Sequence, residues 1–170
     1  MSRARLILVL AVLGVAVYTA AAGSPDPAPS APSASSGTVT RVVDGDTIHV
    51  DVGGRDEDVR YIGVDTPESV KPGTPVQCFA ERASAFNKHL VAGERVRLVR
   101  DAEERDRYGR LLAYVYRSRD HLFVNARLVR GGYAVPLTIP PNVAHAEQFR
   151  TLAAVARRKG RGLWSACRSS

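Results

Sequence analysis

The amino-acid sequence predicts an α+β domain built on a small five-stranded β-barrel with about three helices. Short alternating apolar runs separated by turn signals predict the strands, and stretches with apolar residues every three or four positions predict the helices. One helical stretch follows the third strand and two follow the fifth. Closing the strands into a barrel removes exposed edges and leaves loops at one mouth that can hold a ligand.

The strands are predicted at residues 38–43, 47–52, 58–64, 95–99 and 110–116. The first two flank "DGD", and Asp-Gly between alternating runs is a strong hairpin signal. The helices are predicted in "FAERASAFNKHLV", which Gly93 ends, in the short "LFVNARLVRGG", and in "AEQFRTLAAVARRKG". The apolar faces of the first and last helices are predicted to consist of Phe79, Ala83, Phe86 and Leu90, and of Phe149, Leu152, Ala153 and Ala156.

Residues 1–22 are predicted to lie outside the domain as a secretory signal peptide. The basic start "MSRAR" precedes an apolar run that ends in small residues, and Ala20 and Ala22 suit cleavage before Gly23. The alternative is an uncleaved membrane anchor, because the apolar run 6–22 is close to the lower limit of about 17 residues for crossing a bilayer. The protein is therefore expected to be secreted or, if this segment stays, membrane-anchored and facing outside.

Composition and charge restrict the class of protein. Residues 23–36 are rich in Pro, Ala and Ser and predict a disordered linker, so that one globular domain covers 37–170. The net charge of +7 favours a polyanionic partner, although an Arg-rich composition, 21 Arg against 3 Lys, accounts for this charge as well.

The two cysteines, Cys78 and Cys167, both follow the export segment. An even number of cysteines in an oxidising compartment favours a disulfide over free thiols. A zinc site is not expected, because none of the histidines has a ligand spacing with either cysteine.

Two acidic motifs lie at predicted strand ends. In "DGDT", Asp46 begins a strand, and in "DTPE", Asp65 ends one. Each motif alone is explained as a turn, the second one stiffened by Pro67. Together they bring two carboxylates to the ends of adjacent strands, where the negative charges would repel each other without a cation. Oxygen ligands suit a hard cation such as Ca²⁺.

Three further side chains complete a possible hydrolytic site. Glu68 lies three residues beyond Asp65, so it can act as general base towards a water that the cation holds. Arg60 and Arg110 would supply guanidinium groups that match the charge of a phosphodiester transition state. An ordinary surface strand position explains Arg60 as well.

The segment "DRYGR", residues 106–110, has two interpretations. Gly109 allows a tight bend that directs Arg107, Tyr108 and Arg110 into one space. The alternative is a polar hairpin loop without further function.

Several motifs in register resemble the staphylococcal-nuclease (thermonuclease) family. They are "VVDGDTIHV", "VRYIGVDTPES", "AERASAF", "DRYGRLLAYVY", "VNARLVRGGYA" and the closing "GLW", and they cover nearly all of residues 37–164. The resemblance implies an OB-fold barrel with helices. It also implies an endonuclease that hydrolyses DNA and RNA in a Ca²⁺-dependent reaction and leaves 3′-phosphates. No stable protein partner is implied, and we expect a monomer.

The resemblance assigns roles to individual residues. Asp46 and Asp65 match the calcium carboxylates, and Thr66 matches a ligand that binds through its main-chain carbonyl. Glu68 matches the acid usually assigned as general base, a role that is debated.

Four basic and aromatic residues also match the family pattern. Arg60 and Arg110 match the pair that holds the scissile phosphate and stabilises the transition state. Arg107 and Tyr108 match the pair that contacts the neighbouring terminal phosphate, with Arg in place of a more familiar Lys.

The same resemblance reveals one difference from the family sequence and implies one disulfide. The segment "LTIPPN" replaces tyrosines near the nucleotide base, and Thr138, Ile139 and Pro140 cannot stack on a base, a contact worth about 1–3 kcal/mol. Base preference is therefore open. The family fold returns the C-terminal tail to the loop after the third strand, which implies a Cys78–Cys167 disulfide.

Two other classes of function compete with the nuclease. This fold also serves as a non-catalytic binding module for nucleic acid or protein when its catalytic residues are lost, and this chain retains them. A structural envelope protein would account for the export segment and the linker but not for the site.

Overall fold

The computed structural model describes residues 33–69, 73 and 75–167, so the predicted signal peptide and residues 23–32 of the predicted linker lie outside the described residues. Five strands form a closed barrel, which confirms the predicted α+β fold. The elements in chain order are β1 (Ala34–Val42), β2 (Thr47–Asp51), β3 (Asp56–Tyr61), β4 (Val64–Asp65), α1 (Ala80–Val91), β5 (Arg95–Val99), β6 (Leu111–Arg117), α2 (Val124–Gly131), β7 (Val135–Pro136), α3 (Ala146–Arg158) and α4 (Leu163–Ala166).

The barrel runs in the order β1-β2-β3-β6-β5 and closes where β1 pairs with β5. All neighbours are antiparallel except β3 and β6, which are parallel and therefore need a long connection through α1 and β5. Alternate residues of the strands point into the barrel, as their period of two requires. The barrel interior contains the fully buried Ile48, Val50, Val59, Val96, Leu98 and Val115.

Strand β1 begins at Ala34, within the segment 23–36 that the sequence assigned to the linker. Ser35 and Ser36, assigned to the linker from their composition, pair with Leu98 and Arg97 of β5. Main-chain hydrogen bonds to a neighbouring strand do not depend on side-chain polarity, so small polar residues can extend a strand whose partner is already in place.

The third predicted strand, 58–64, is wrong as one continuous element. It breaks after Tyr61, because Gly63 has a left-handed backbone conformation with φ of 77°. A Cβ at Gly63 would lie 2.5 Å from the Phe149 ring, so the missing side chain also lets α3 approach closely. The chain resumes as β4, which leaves the barrel and pairs with β7 in a separate two-stranded sheet.

The three predicted helices are present as α1, α2 and α3, and the one-turn α4 is a fourth. In α1, Ala83 and Leu90 are buried as predicted, whereas Phe86 is half-buried and stacks on Tyr133 at 3.9 Å. Asn87, which no apolar pattern marks, is fully buried instead. No helix of the described part of the chain is both long and apolar enough to cross a membrane.

The remaining predicted helix faces also follow the sequence pattern. Phe79 precedes α1 and is half-buried. In α3, Phe149, Ala153 and Ala156 are buried and Leu152 is half-buried against the core. The apolar period therefore located both core-facing surfaces.

The predicted disulfide between Cys78 and Cys167 is present, with the two Cα atoms 5.8 Å apart. Cys78 lies just before α1 and Cys167 just after α4. The bond therefore joins the loop after β4 to the end of the described chain.

Candidate active site

A cavity of about 320 Å³ lies where the β1–β2 turn, β3, the segment after β4 and the loop before β6 meet. We refer to it as the polar cavity. Its lining residues are Asp44, Asp46, Thr47, Arg60, Asp65, Thr66, Pro67, Glu68, Tyr108 and Arg110. Seven of the eight residues that the sequence assigned to catalysis, metal and phosphate line it, and Arg107 lies beside it, against Tyr108.

Asp46 is the buried carboxylate of this cavity, with 4% of its surface exposed. Its Oδ2 accepts hydrogen bonds from the Thr66 amide at 2.7 Å and from the Thr66 hydroxyl at 2.9 Å, and Oδ1 accepts one from Thr47 at 3.3 Å. Gly45 permits this approach, since a Cβ there would lie 2.6 Å from the Thr66 side chain. Burial raises the pKa of Asp46 to about 6, against the opposing attraction of the Arg60 guanidinium.

Arg60 joins the two carboxylates that the sequence assigned to calcium. Its Nη1 lies 3.1 Å from Asp46 Oδ1, and its Nη2 donates to Asp65 Oδ1 at 2.8 Å. Nη1 also donates to the main-chain carbonyls of Val64 at 2.9 Å and Tyr61 at 3.2 Å. These bonds fix the guanidinium plane within the cavity, because a rigid fork held at both terminal nitrogens cannot rotate.

Arg110 is oriented by its own loop. Its Nε and its Nη2 lie 2.8 Å and 2.7 Å from Asp106 Oδ2. Partial burial opposes ionisation of Asp106, but hydrogen bonds from Arg110 and the Tyr108 amide outweigh it and hold the pKa of Asp106 below its ordinary value. Gly109, with φ of 83°, makes the bend that the sequence predicted. The Tyr108 ring lies between two guanidinium carbons, 4.8 Å from that of Arg107 and 5.5 Å from that of Arg110.

The main chain of Glu68 is held at both of its polar groups. Its amide donates to Gln77 Oε1 at 2.9 Å, and its carbonyl accepts from the Gln77 amide at 3.0 Å. Gln77 precedes Cys78 of the disulfide, so the covalent bond to Cys167 lies one residue from this clamp. The half-buried Glu68 side chain lines the polar cavity.

A second cavity of about 250 Å³ adjoins the first and shares Arg60 and Arg110 with it. Five of its ten other lining residues are aliphatic, namely Ile62, Val64, Leu112, Leu137 and Ile139, and we refer to it as the apolar cavity. Gly63, Tyr61, Glu103, Asp106 and Asn142 make up the rest of its lining. Ile139, which lines this cavity, is 59% exposed.

A family model described as staphylococcal nuclease homologue matches residues 58–166 of this chain. The chain belongs to this family. It is 42% identical over 127 residues to the thermonuclease of Staphylococcus hyicus, which covers 75% of this chain and 74% of that protein. It is 46% identical over 126 residues to the thermonuclease of Staphylococcus intermedius, which covers 74% of each chain. The endonuclease YncB of Bacillus subtilis is 42% identical over 130 residues, 75% of this chain and 61% of that protein.

A hard cation is expected in staphylococcal nuclease homologues, and the polar cavity is suited to such an ion. Four carboxylates face two guanidinium groups there, an excess of two negative charges if all are ionised. Burial raises the pKa of Asp46 and so disfavours its charged form, which a nearby cation would favour. No cluster of three or more histidine, cysteine or acidic side chains in the described ranges is placed to hold an ion together. Two of the carboxylates, Asp46 and Asp65, both contact Arg60.

Sequence reasoning missed four side chains that shape the site. Asp44 and Thr47 line the polar cavity, Asp106 orients Arg110, and Gln77 clamps Glu68. For Asp44 and Asp106 a signal existed, because both belong to the motifs "DGDT" and "DRYGR". Gln77 carried none, since its partner lies nine residues away across a loop.

Proposed function

We propose that the protein is a secreted, calcium-dependent endonuclease that hydrolyses the phosphodiester bonds of DNA and RNA and leaves 3′-phosphate ends. Membership of a nuclease family supports phosphodiester hydrolysis, and relatives named thermonuclease and endonuclease support the endonuclease class. The observation that carries the proposal is the meeting of two guanidinium groups and four carboxylates in one cavity.

The chain's own groups suit an in-line displacement at phosphorus. Arg60 and Arg110 line both cavities, so a phosphate between them can receive hydrogen bonds from two guanidinium forks. These donors stabilise the negative charge that gathers on the phosphate oxygens in the transition state. Their separate anchors, carboxylates and carbonyls for Arg60 and Asp106 for Arg110, keep them in place before substrate arrives.

Glu68 is the proposed general base. Its carboxylate accepts a proton from the water whose oxygen attacks phosphorus. The bond from phosphorus to the 5′ oxygen then breaks and this oxygen takes a proton from solvent water, which leaves a 3′-phosphate on one product and a 5′-hydroxyl on the other. The clamp by Gln77 restricts the main chain that carries this base.

Asp46, Asp65 and the Thr66 carbonyl are the proposed calcium ligands. The ion would supply positive charge beside a phosphate oxygen and a place for ordered water. Asp46 and Asp65 both contact Arg60 in this structure, so calcium and Arg60 compete for their oxygens. If calcium took the Asp65 oxygen, Nη2 of Arg60 would be available to a phosphate, while Nη1 would keep its bonds to the Val64 and Tyr61 carbonyls.

The apolar cavity is the proposed site of the nucleoside next to the scissile phosphate. Its aliphatic side chains can bury one face of a base or a sugar but offer no ring for stacking. The Tyr108 ring lies near the guanidinium groups of Arg107 and Arg110, and Arg107 and Tyr108 are proposed to contact the neighbouring phosphate.

Export of the protein is part of the proposal. The Cys78–Cys167 disulfide supports an oxidising compartment. N-terminal sequencing of protein from the culture medium should give Gly23 as the first residue. Retention of residues 1–22 in a membrane fraction would support the anchored alternative.

Plasmid DNA and RNA degradation by the purified protein, with calcium and with a calcium chelator, tests the central proposal. We expect cleavage of both substrates only with calcium, and no cleavage by Asp46→Ala or Asp65→Ala. The products should resist extension by a polymerase until a phosphatase removes the 3′-phosphate. Full activity in chelator would contradict the calcium assignment, and substrate binding without cleavage would identify a binding module instead.

A further inference from the structure

A buried hydrogen-bond path leads from helix α1 to the turn that carries Asp46. The Tyr61 hydroxyl donates to Asn87 Oδ1 at 3.0 Å, and Asn87 Nδ2 donates to the main-chain carbonyl of Asp44 at 3.0 Å. Asn87 is 0% exposed and Tyr61 is 2% exposed. The path therefore joins three parts of the chain through two side chains that are buried from solvent.

Both Oδ1 and Nδ2 of Asn87 form hydrogen bonds in this path, and burial makes these bonds hard to replace. An unsatisfied buried amide carries its full desolvation penalty, so the side chain stays where both bonds are made. Burial also raises the pKa of Tyr61, which keeps its hydroxyl protonated as a donor. The pair thus behaves as one rigid unit.

This unit holds the Asp44–Asp46 turn at two points. The Asp44 carbonyl accepts from Asn87, and the Asp46 carbonyl accepts from the Tyr61 amide at 2.9 Å. Within the turn, the Asp44 carboxylate accepts from the Asp46 amide at 2.9 Å. With the main chain on either side of Gly45 fixed, the direction in which the Asp46 side chain leaves the backbone is fixed as well.

We propose that Asn87, through Tyr61 and the main chain of Asp44, is a positioning residue that places the Asp46 carboxylate for cation binding. Asn87 touches neither substrate nor cation, and its effect is on the geometry of a ligand. The inference rests on the proposed function, since it gives Asp46 the role of a calcium ligand.

The chain offers a matched control in Asn125, which is also 0% exposed. Its Oδ1 accepts from the Val115 amide at 2.9 Å, and its Nδ2 donates to the Ile62 carbonyl at 2.9 Å. It joins α2 to β6 and to the turn after β3, and makes no bond with the Asp44–Asp46 turn. A purely structural role for buried asparagines predicts the same effect at both positions.

The test compares Asn87→Ala, Tyr61→Phe and Asn125→Ala with the wild-type protein. Calcium binding is measured by titration calorimetry without substrate, at a temperature where circular dichroism shows all four proteins folded. We expect Asn87→Ala to weaken calcium binding by about 10-fold or more, as loss of an outer partner of a metal ligand does. Tyr61→Phe, which keeps the ring and removes one oxygen, should weaken it less, and Asn125→Ala should leave it within about 2-fold, as expected for a site without contact to the ligands.

Hydrolysis rates at increasing calcium concentration give a second readout. The half-saturating calcium concentration should rise for Asn87→Ala in step with its weaker binding, whereas that of Asn125→Ala should not change. If Asn87→Ala does not fold, Tyr61→Phe and Asn125→Ala carry the comparison alone. Unchanged calcium binding in the Asn87 and Tyr61 variants, or an equal loss in Asn125→Ala, would overturn the inference. A wild-type protein that binds no calcium would overturn the proposed function, and this inference with it.

Discussion

The polar and apolar cavities share Arg60 and Arg110 and differ in almost everything else. Carboxylates and hydroxyls line the first, which suits a cation, a water and a general base. Aliphatic side chains such as Leu112 and Ile139 line much of the second, which suits a nucleoside. The two arginines stand on the boundary, where a phosphate would lie. The comparison suggests that reaction chemistry and substrate contact are separated in space and joined by two guanidinium groups.

The two shared arginines are also held in different ways. Arg60 is bound by groups of the polar cavity and by main-chain carbonyls, whereas Arg110 is bound by Asp106 of its own loop. We therefore expect Arg60 to respond to changes at Asp46 and Asp65, and Arg110 to respond to changes in the 105–110 loop. Substitutions that separate these influences test whether the two cavities have distinct tasks.

The largest effect is expected from the shared arginines. Arg60→Lys and Arg110→Lys keep the charge and lose the bidentate fork, so kcat should fall by about 10²-fold or more. Arg119→Lys is the control, since this exposed residue pairs with Glu94 away from both cavities. Steady-state kinetics on DNA measures the difference. A near wild-type kcat for Arg110→Lys would show that the boundary position has no catalytic importance.

A second prediction concerns the charge of the polar cavity in chelator. The folded-state pKa of Asp46 is raised to about 6 from 3.8. The folded protein therefore binds this proton more tightly than the unfolded chain, which stabilises the fold below pH 3.8. This stabilisation is lost as the pH rises to about 6. Asp46→Asn should remove this dependence and raise the free energy of unfolding at pH 7 by on the order of 2–3 kcal/mol. Urea unfolding between pH 4 and pH 7 checks it.

Calcium provides the control for that measurement. Added calcium should stabilise the wild-type protein and leave Asp46→Asn unchanged, because a ligand stabilises only the state that binds it. A constant difference between the two proteins across the pH range would contradict the buried-charge explanation.

The smallest effect is expected in the apolar cavity. Ile139→Tyr restores a ring where a base can stack, a contact worth about 1–3 kcal/mol, and should lower KM with little change in kcat. Val143→Tyr is the control, since Val143 is an exposed aliphatic residue that does not line this cavity. A change in kcat with constant KM, measured on single-stranded DNA, would mean that the cavities are not separate in function.

The barrel and most of the site could be predicted from the sequence because both depend on local patterns. Alternating runs predicted the barrel strands, and the Asp-Gly turn predicted the position of Asp46. The break at Gly63 was missed, since neither the left-handed backbone there nor the close approach of the Phe149 ring, more than 80 residues away, is visible in a local pattern. Asn87 was missed for the same reason, because a polar residue on an apolar helix face acquires its meaning only from Tyr61 and Asp44.

The roles of the individual site residues stay predictions at this stage. The sequence placed Arg60 on a phosphate, whereas the structure shows it bound to Asp46 and Asp65. The sequence cannot predict this contact, because a guanidinium group pairs with the nearest negative group. Which group is nearest depends on whether calcium and substrate are bound.

The disulfide has a consequence for a chain that a protease cuts. Cys78 and Cys167 close a loop of 89 residues that contains α1, β5, β6 and all later helices. A protease that cuts one peptide bond anywhere within this loop leaves two fragments that are still covalently joined. Arg60 lies on the N-terminal fragment and, after a cut before residue 110, Arg110 lies on the other. The nicked chain therefore keeps both arginines in one molecule until the disulfide is reduced.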